Sequence, residues 1–298
     1  GADVSCSAGA DVSCSAGADV SCSAGADVIS TALFYLGTTL YAASAYLYVM
    51  GWLTKHRQSQ RWDSRLLLGA VVLLGGGMVS RTIEFGFPFL TMREVLSVYV
   101  WVLGLVYLIL ERRFGFTILG VVITPVGILI ILVTSLMPAA QEPLLAMLQS
   151  PWLMAHVGTF FAAYAAFTLA FASAVAYLLQ EQALRRKQLA WRLPPLAVMD
   201  GLSRWLVTVG LLLMVPAIFT GSAWAEQVWE TVWVWEPKLI LSLGTLGIYG
   251  LYFYARHIAH WSGRRTSWLV VLGFISVLTT FIGADLISPD SRHSFLSQ

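Results

Sequence analysis

The sequence predicts an all-α integral membrane protein: a bundle of about eight transmembrane helices with both termini outside and an outer, tryptophan-rich loop. Three observations carry this. The 298 residues are 58% hydrophobic and only 11% charged, whereas soluble domains carry roughly 25% charged residues. The mean hydropathy is +0.74. Finally, the apolar residues collect into eight segments near the length of about 20 residues that a helix needs to cross a bilayer. Hydrocarbon cannot satisfy open backbone groups, so each segment must be helical. A formal net charge of +2 gives no sign of nucleic-acid binding.

Residues 1–28 stand apart. The octapeptide Gly-Ala-Asp-Val-Ser-Cys-Ser-Ala repeats in tandem from Gly1, Gly9 and Gly17, and Gly25 to Val28 opens a fourth copy. A period of eight is too short for a solenoid unit. Lacking a basic start and a long apolar core, the stretch is not a signal peptide. It is expected to be disordered, an expansion or an artefact. All three cysteines (Cys6, Cys14 and Cys22) lie here with no histidine beside them, a poor pattern for a metal site. The polytopic membrane domain, residues 29–298, has no thiol nucleophile and no dithiol redox pair.

The expected spans are 29–53, 65–82, 94–111, 116–137, 152–180, 198–221, 238–256 and 267–287. Pro125 and Pro216 fall inside the fourth and sixth and are expected to kink them. Gly75 to Gly77 lie inside the second, where small residues let helices approach closely. Almost no carboxylates lie within the spans, so no proton relay is drawn. Asp285, near the outer end of the eighth, is expected to face protein or water.

Basic residues set the orientation. The first loop holds Lys55, Arg57, Arg61 and Arg65, the third Arg112 and Arg113. The fifth holds Arg185, Arg186, Lys187 and Arg192, and the seventh Arg256, Arg264 and Arg265. Arg204 lies near the same side. Only Arg81, Arg93, Lys238 and Arg292 fall opposite. The odd-numbered loops are therefore expected in the cytoplasm.

The outer face then gathers the unusual residues. Residues 221–238, the expected loop between spans six and seven, contain Trp224, Trp229, Trp233 and Trp235, a third of the chain's 12 tryptophans. Interfacial anchors are the plain reading of membrane-edge tryptophan. Anchors come singly, however, not as a dense tract carrying Glu226, Glu230, Glu236 and Lys238. An aromatic shelf with charged edges suits a large planar ligand, and haem fits. His156, at the outer end of span five, and His293, in the outer tail, flank the tract. Two neutral imidazoles can supply both axial ligands of haem iron. Lys238, Arg292, Arg81 and Arg93 are the available cations for its propionates.

The tract resembles the tryptophan-rich "WWD" signature of the haem-handling proteins of cytochrome c maturation, and the CcsA (ResC) type of the system II pathway in particular. The stretch from Arg81 to Leu96, especially Phe87 to Leu96, is similar to that family's first outer loop and following helix. Trp152 to Val157 is similar to the segment around its first external histidine. Trp261 to Arg265, Gly283 to Leu286 and His293 to Phe295 resemble its C-terminal end. The resemblance implies haem b held between His156 and His293 on the tryptophans, with Glu236 in the signature. It implies delivery to apocytochrome c for covalent attachment, as the membrane subunit of a cytochrome c synthase working with a CcsB-like partner. No catalytic residue is assigned, because the thiols that react belong to the substrate. The location implied is a plasma or inner membrane, or a thylakoid, with the loop on the extracytoplasmic side.

The chain departs from the family pattern in places. Glu230 stands where the family usually has Gly, Glu236 where it has Asp, and Leu239 where it has an acid. A family histidine serving an inner haem site aligns with Tyr254, and His257, three residues on, is the candidate replacement. Two other functions fit the residues. One is a haem-binding or export protein without ligation activity, like CcmC or HemX. The other is a structural subunit whose aromatic loop docks a partner.

Overall fold

The computed structural model describes residues 8–54, 62–85, 92–135, 150–187, 194–231, 235 and 237–280. These residues form eight α-helices and no strand. They are α1 (Ala8–Thr54), α2 (Trp62–Phe85), α3 (Met92–Phe114), α4 (Gly120–Ser135), α5 (Pro151–Arg185), α6 (Leu196–Trp229), α7 (Pro237–His257) and α8 (Arg264–Leu278). Seven are long and apolar enough to cross a membrane, the stretch within α1 being Val28–Thr54. The protein is a multi-pass helical membrane protein. The eighth expected span, 267–287, is described only as far as residue 280, and α8 itself has 15 residues. Pro125 and Pro216 lie inside uninterrupted helices.

The ends of the helices follow from their sequences. Ser150 caps α5, accepting the Trp152 N–H on its hydroxyl, and Pro151 takes the first helical position, where its missing N–H is no loss. α3 closes on Gly115, whose φ of 71° suits a residue without Cβ. Its N–H returns to the Glu111 carbonyl at 2.7 Å.

The helices form two groups of four. α1 packs on α2 and α4, and α3 on α2 and α4; α5 packs on α6 and α8, and α7 on α6 and α8. In the first group the glycine triplet makes the expected close approach. A Cβ at Gly75 would lie 2.7 Å from the Trp101 indole nitrogen, and one at Gly77 would lie 3.3 Å from the Ser30 carbonyl. In the second group, face-to-face rings sit over small residues: Phe167 stacks on Tyr249 at 3.8 Å and Phe171 on Phe274 at 4.2 Å between centroids, and a Cβ at Gly210 or Gly273 would meet Phe167 or Tyr249. The groups join where Tyr99 of α3 hydrogen-bonds Thr168 of α5 at 2.6 Å.

Contacts also identify the two ends of the bundle. Tyr48, Ser64 and Glu111 meet at one end, and Phe114 meets Trp205 there. This end carries Arg65, Arg112 and Arg113. Ser150 and Gln227 meet at the opposite end, which carries Trp224 and Trp229 and is called the tryptophan end below.

Candidate functional site at the tryptophan end

Antiparallel packing of α5 on α6 brings His156 to Ala217 and Gly221, just before Trp224 in the tract. Two rungs tie the pair at this end. The Ser150 hydroxyl donates to the Gln227 side-chain oxygen at 2.9 Å. Six residues further along α5, His156 Nδ1 lies 2.7 Å from the Ala217 carbonyl oxygen. A carbonyl only accepts, so Nδ1 carries the hydrogen and the neutral ring keeps its basic nitrogen at Nε2. That is the state in which an imidazole binds a metal, with its other nitrogen held by an acceptor.

From sequence the tract is expected to be a loop over 221–238. Instead, α6 continues to Trp229 and ends at Glu230, whose φ of 55° is left-handed. Nothing between Pro216 and Glu230 breaks a helix, so the helix outlasts the apolar span. The tryptophans consequently differ in role. Trp224 is 7% exposed and belongs to the core. Trp229 packs partly against that core and meets Trp224 edge to face, with centroids 5.1 Å apart and planes at 68°. The two rings form a corner, not a flat shelf. Trp235 is 70% exposed. Trp233, Glu236, Arg292, His293 and Asp285 lie outside the described residues.

The candidate cations separate. Lys238 lies in the first turn of α7, where the helix dipole disfavours a positive charge, so helix stability does not explain it. Arg81 pairs with Glu94 at 3.0 Å, and the Arg93 guanidinium lies over the Phe34 ring at 5.0 Å. Both line a cleft between α1, α2 and α3 with Ser30, Tyr35 and Met78. Tyr254 and His257 do share one face of α7, yet it is the outward one. Tyr254 is 53% exposed and His257 is exposed against Phe253, 4.3 Å between centroids. The buried face of α7 is Ser242, Thr245, Tyr249, Tyr252 and Ala255.

Two features escape the sequence. Gly221 touches the His156 ring, and its only sequence signal is its place one turn after Ala217. At the basic end, Glu111 and Asp63 are buried, 7% and 2% exposed, although the spans looked almost free of carboxylates. Glu111 accepts hydrogen bonds from Tyr48 at 2.9 and 2.8 Å and from Ser64 at 2.8 Å. Asp63 accepts the Ser64 N–H at 2.8 Å. Among the described residues no group of three or more His, Cys, Asp or Glu could hold a metal ion. A haem iron needs only axial ligands, so this absence does not bear on a haem site.

The fold is a polytopic helical bundle with His156 and the Trp224–Trp229 corner toward one end of the α5–α6 pair. Residues 90–289 match the model of the cytochrome c assembly protein family. The chain belongs to that family, and is of CcsA type. It is 28% identical to the cytochrome c biogenesis protein CcsA of Guillardia theta, over 72% of this chain and 79% of that one. It is 28% identical to that of Parasynechococcus marenigrum (strain WH8102), over 73% and 81%. With that of Synechococcus sp. (strain WH7803) it shares 29%, over 75% and 82%. Among solved structures it is similar to the cytochrome c haem lyase CcmF, with a TM-score of 0.65 and 13% identity. That match covers 86% of this chain and 47% of the other, so the chain spans about half the length of that lyase. The protein takes part in cytochrome c maturation.

Proposed function

We propose that the chain binds haem b, its substrate, at the tryptophan end of the bundle and presents it to apocytochrome c. The observation that carries this reading is the bond from His156 Nδ1 to the Ala217 carbonyl, which leaves Nε2 as the basic nitrogen of the neutral ring, on the helix pair whose same end carries the Trp224–Trp229 corner. His293 is the second axial ligand, and Trp224, Trp229, Trp233 and Trp235 provide the aromatic surroundings. Lys238 and Arg292 neutralise the propionates together with Arg81, and Glu236 completes the signature. Bound haem supplies the vinyl groups to which the substrate's thiols add. The chain's own residues hold the iron's imidazole in one tautomer and orient the ring, a proximity effect. The tryptophan end faces the extracytoplasmic side, following the basic residues at the opposite end. A CcsB-like membrane protein is the partner. An inner site at His257 and Tyr254 would open on the outward face of α7; unchanged haem content in His257→Ala would remove it.

The test is a pyridine-haemochrome measurement on wild type, His156→Ala and His293→Ala, purified from a haem-replete host. Either substitution is expected to deplete or shift a b-type spectrum by removing an axial ligand. Three colourless or identical proteins would overturn the haem site. The exposed Trp235 would then favour the partner-docking reading, since exposed apolar patches mark contact surfaces.

A further inference from the structure

Gly221 stands in α6 one helical turn after Ala217 and directly against His156. A Cβ placed there would lie 2.5 Å from both Cε1 and Nδ1 of the imidazole. No real side chain tolerates that approach, so alanine at 221 must displace the ring. On α5 the ring is bordered by Phe160, one turn on, with centroids 5.0 Å apart and planes at 60°. The Nδ1 contact to Ala217 is 2.7 Å, which leaves no slack for a displaced ring to keep it.

We infer that Gly221 is a positioning residue for His156: its missing side chain seats the imidazole on the Ala217 carbonyl, which fixes the Nδ1–H tautomer and makes Nε2 the metal-binding nitrogen. The inference rests on His156 being a haem ligand and goes beyond it by naming the nitrogen used and what holds the ring. Gly221 touches no iron; it acts only through the histidine. Acceptors that orient a ligating histidine typically change metal affinity by about 10- to 100-fold when lost. A ring moved off the Ala217 carbonyl loses that acceptor and can take up either tautomer.

The first readout needs no haem. The full chain, carrying isotopically labelled histidine, is placed in lipid bilayers, and His156 is assigned by its disappearance in His156→Ala. The expected nitrogen spectrum shows a protonated Nδ1 and an unprotonated Nε2. The second readout is haemin titration. Gly221→Ala is expected to mix the tautomers and weaken haemin binding about 10- to 100-fold. Gly158→Ala, on the histidine's own helix with nothing within 4 Å of its Cβ, is expected to leave both readouts alone. A wild-type His156 protonated at Nε2 would overturn the inference, and so would a Gly221→Ala protein with unchanged tautomer and unchanged haemin affinity. If His156→Ala binds haemin as wild type does, the haem-ligand reading fails and the metal-binding half of the inference with it. The tautomer spectrum then judges separately whether the glycine holds the ring.

Discussion

The α5–α6 contacts near the tryptophans and the polar knots of the basic end handle polarity differently. At the basic end, buried charges are surrounded by donors. Asp200 of α6 accepts both guanidinium nitrogens of Arg256 of α7, and takes the Gly263 N–H before α8 at 3.3 Å. Glu111 of α3 gathers hydroxyls from α1 and α2. Each knot ties three segments that lipid gives little reason to associate, since the bilayer supplies no hydrophobic force between helices. At the tryptophan end Arg81 also pairs with Glu94, but between α5 and α6 the polar contacts are neutral. One joins Ser150 to Gln227 and one orients the His156 ring, and Trp235 leaves a large aromatic surface. The difference teaches that charge content alone does not mark the working end of a membrane protein. Satisfied charges at the basic end do structural work, and the oriented imidazole near the other end is the feature on which the proposed haem site rests.

The strongest way to break this division is Asp200→Ala. The Arg256 side chain is 10% exposed, so removing its partner strands a buried cation, which is destabilising by about 3–5 kcal/mol. The expected outcome is a large drop in unfolding temperature in detergent, with the haem spectrum of the surviving folded fraction unchanged. An Asp200→Ala protein that stays stable but loses haem would show that the basic end serves the ligand after all. Tyr48→Phe sharpens the same point on a smaller scale. It removes the hydroxyl that reaches both carboxylate oxygens of Glu111 and contacts Ser64 at 3.1 Å. A hydrogen bond to a charged group contributes about 1.5–3 kcal/mol. Denaturant unfolding should register a loss in that range, and a loss below about 0.5 kcal/mol would mean that Ser64 alone suffices for the carboxylate.

The contrast also explains what could be read from the sequence. Helices α2 to α7 fall close to the expected spans because apolar runs record the bilayer directly. The run cannot report where a helix continues into the polar region, and so α6 was expected to stop near residue 221 and in fact carries Trp224 and Trp229 with it. Glu111 and Asp63 sit at span borders, where a carboxylate reads as solvated. Their burial depends on Tyr48 and Ser44 arriving from α1. At the proposed site, the sequence singles out His156 by its place at the same expected end of the spans as the tract, and the structure adds its contact with Ala217. The roles of Ala217 and Gly221 were not legible, because they follow from the register of α5 against α6, which no local pattern encodes. Trp224 and Trp235 looked equivalent in sequence; packing sends one into the core and leaves the other exposed.

The smallest expected effect tests the junction between these two kinds of polarity. Glu230 ends α6 at φ 55°, donating its N–H to the Glu226 carbonyl at 3.1 Å. Its side chain is exposed. The left-handed conformation costs an L-residue roughly 1–2 kcal/mol, while glycine adopts it freely and loses about 0.5–1 kcal/mol through the extra entropy of its unfolded chain. The balance favours Glu230→Gly, the residue that the resembling family carries here, by about 0.5–1 kcal/mol. Thermal unfolding should therefore show a slight stabilisation with haem content unchanged. If haem content falls instead, the carboxylate at 230 belongs to the ligand and not to the helix end. The recognition surface would then include residue 230, directly after Trp229.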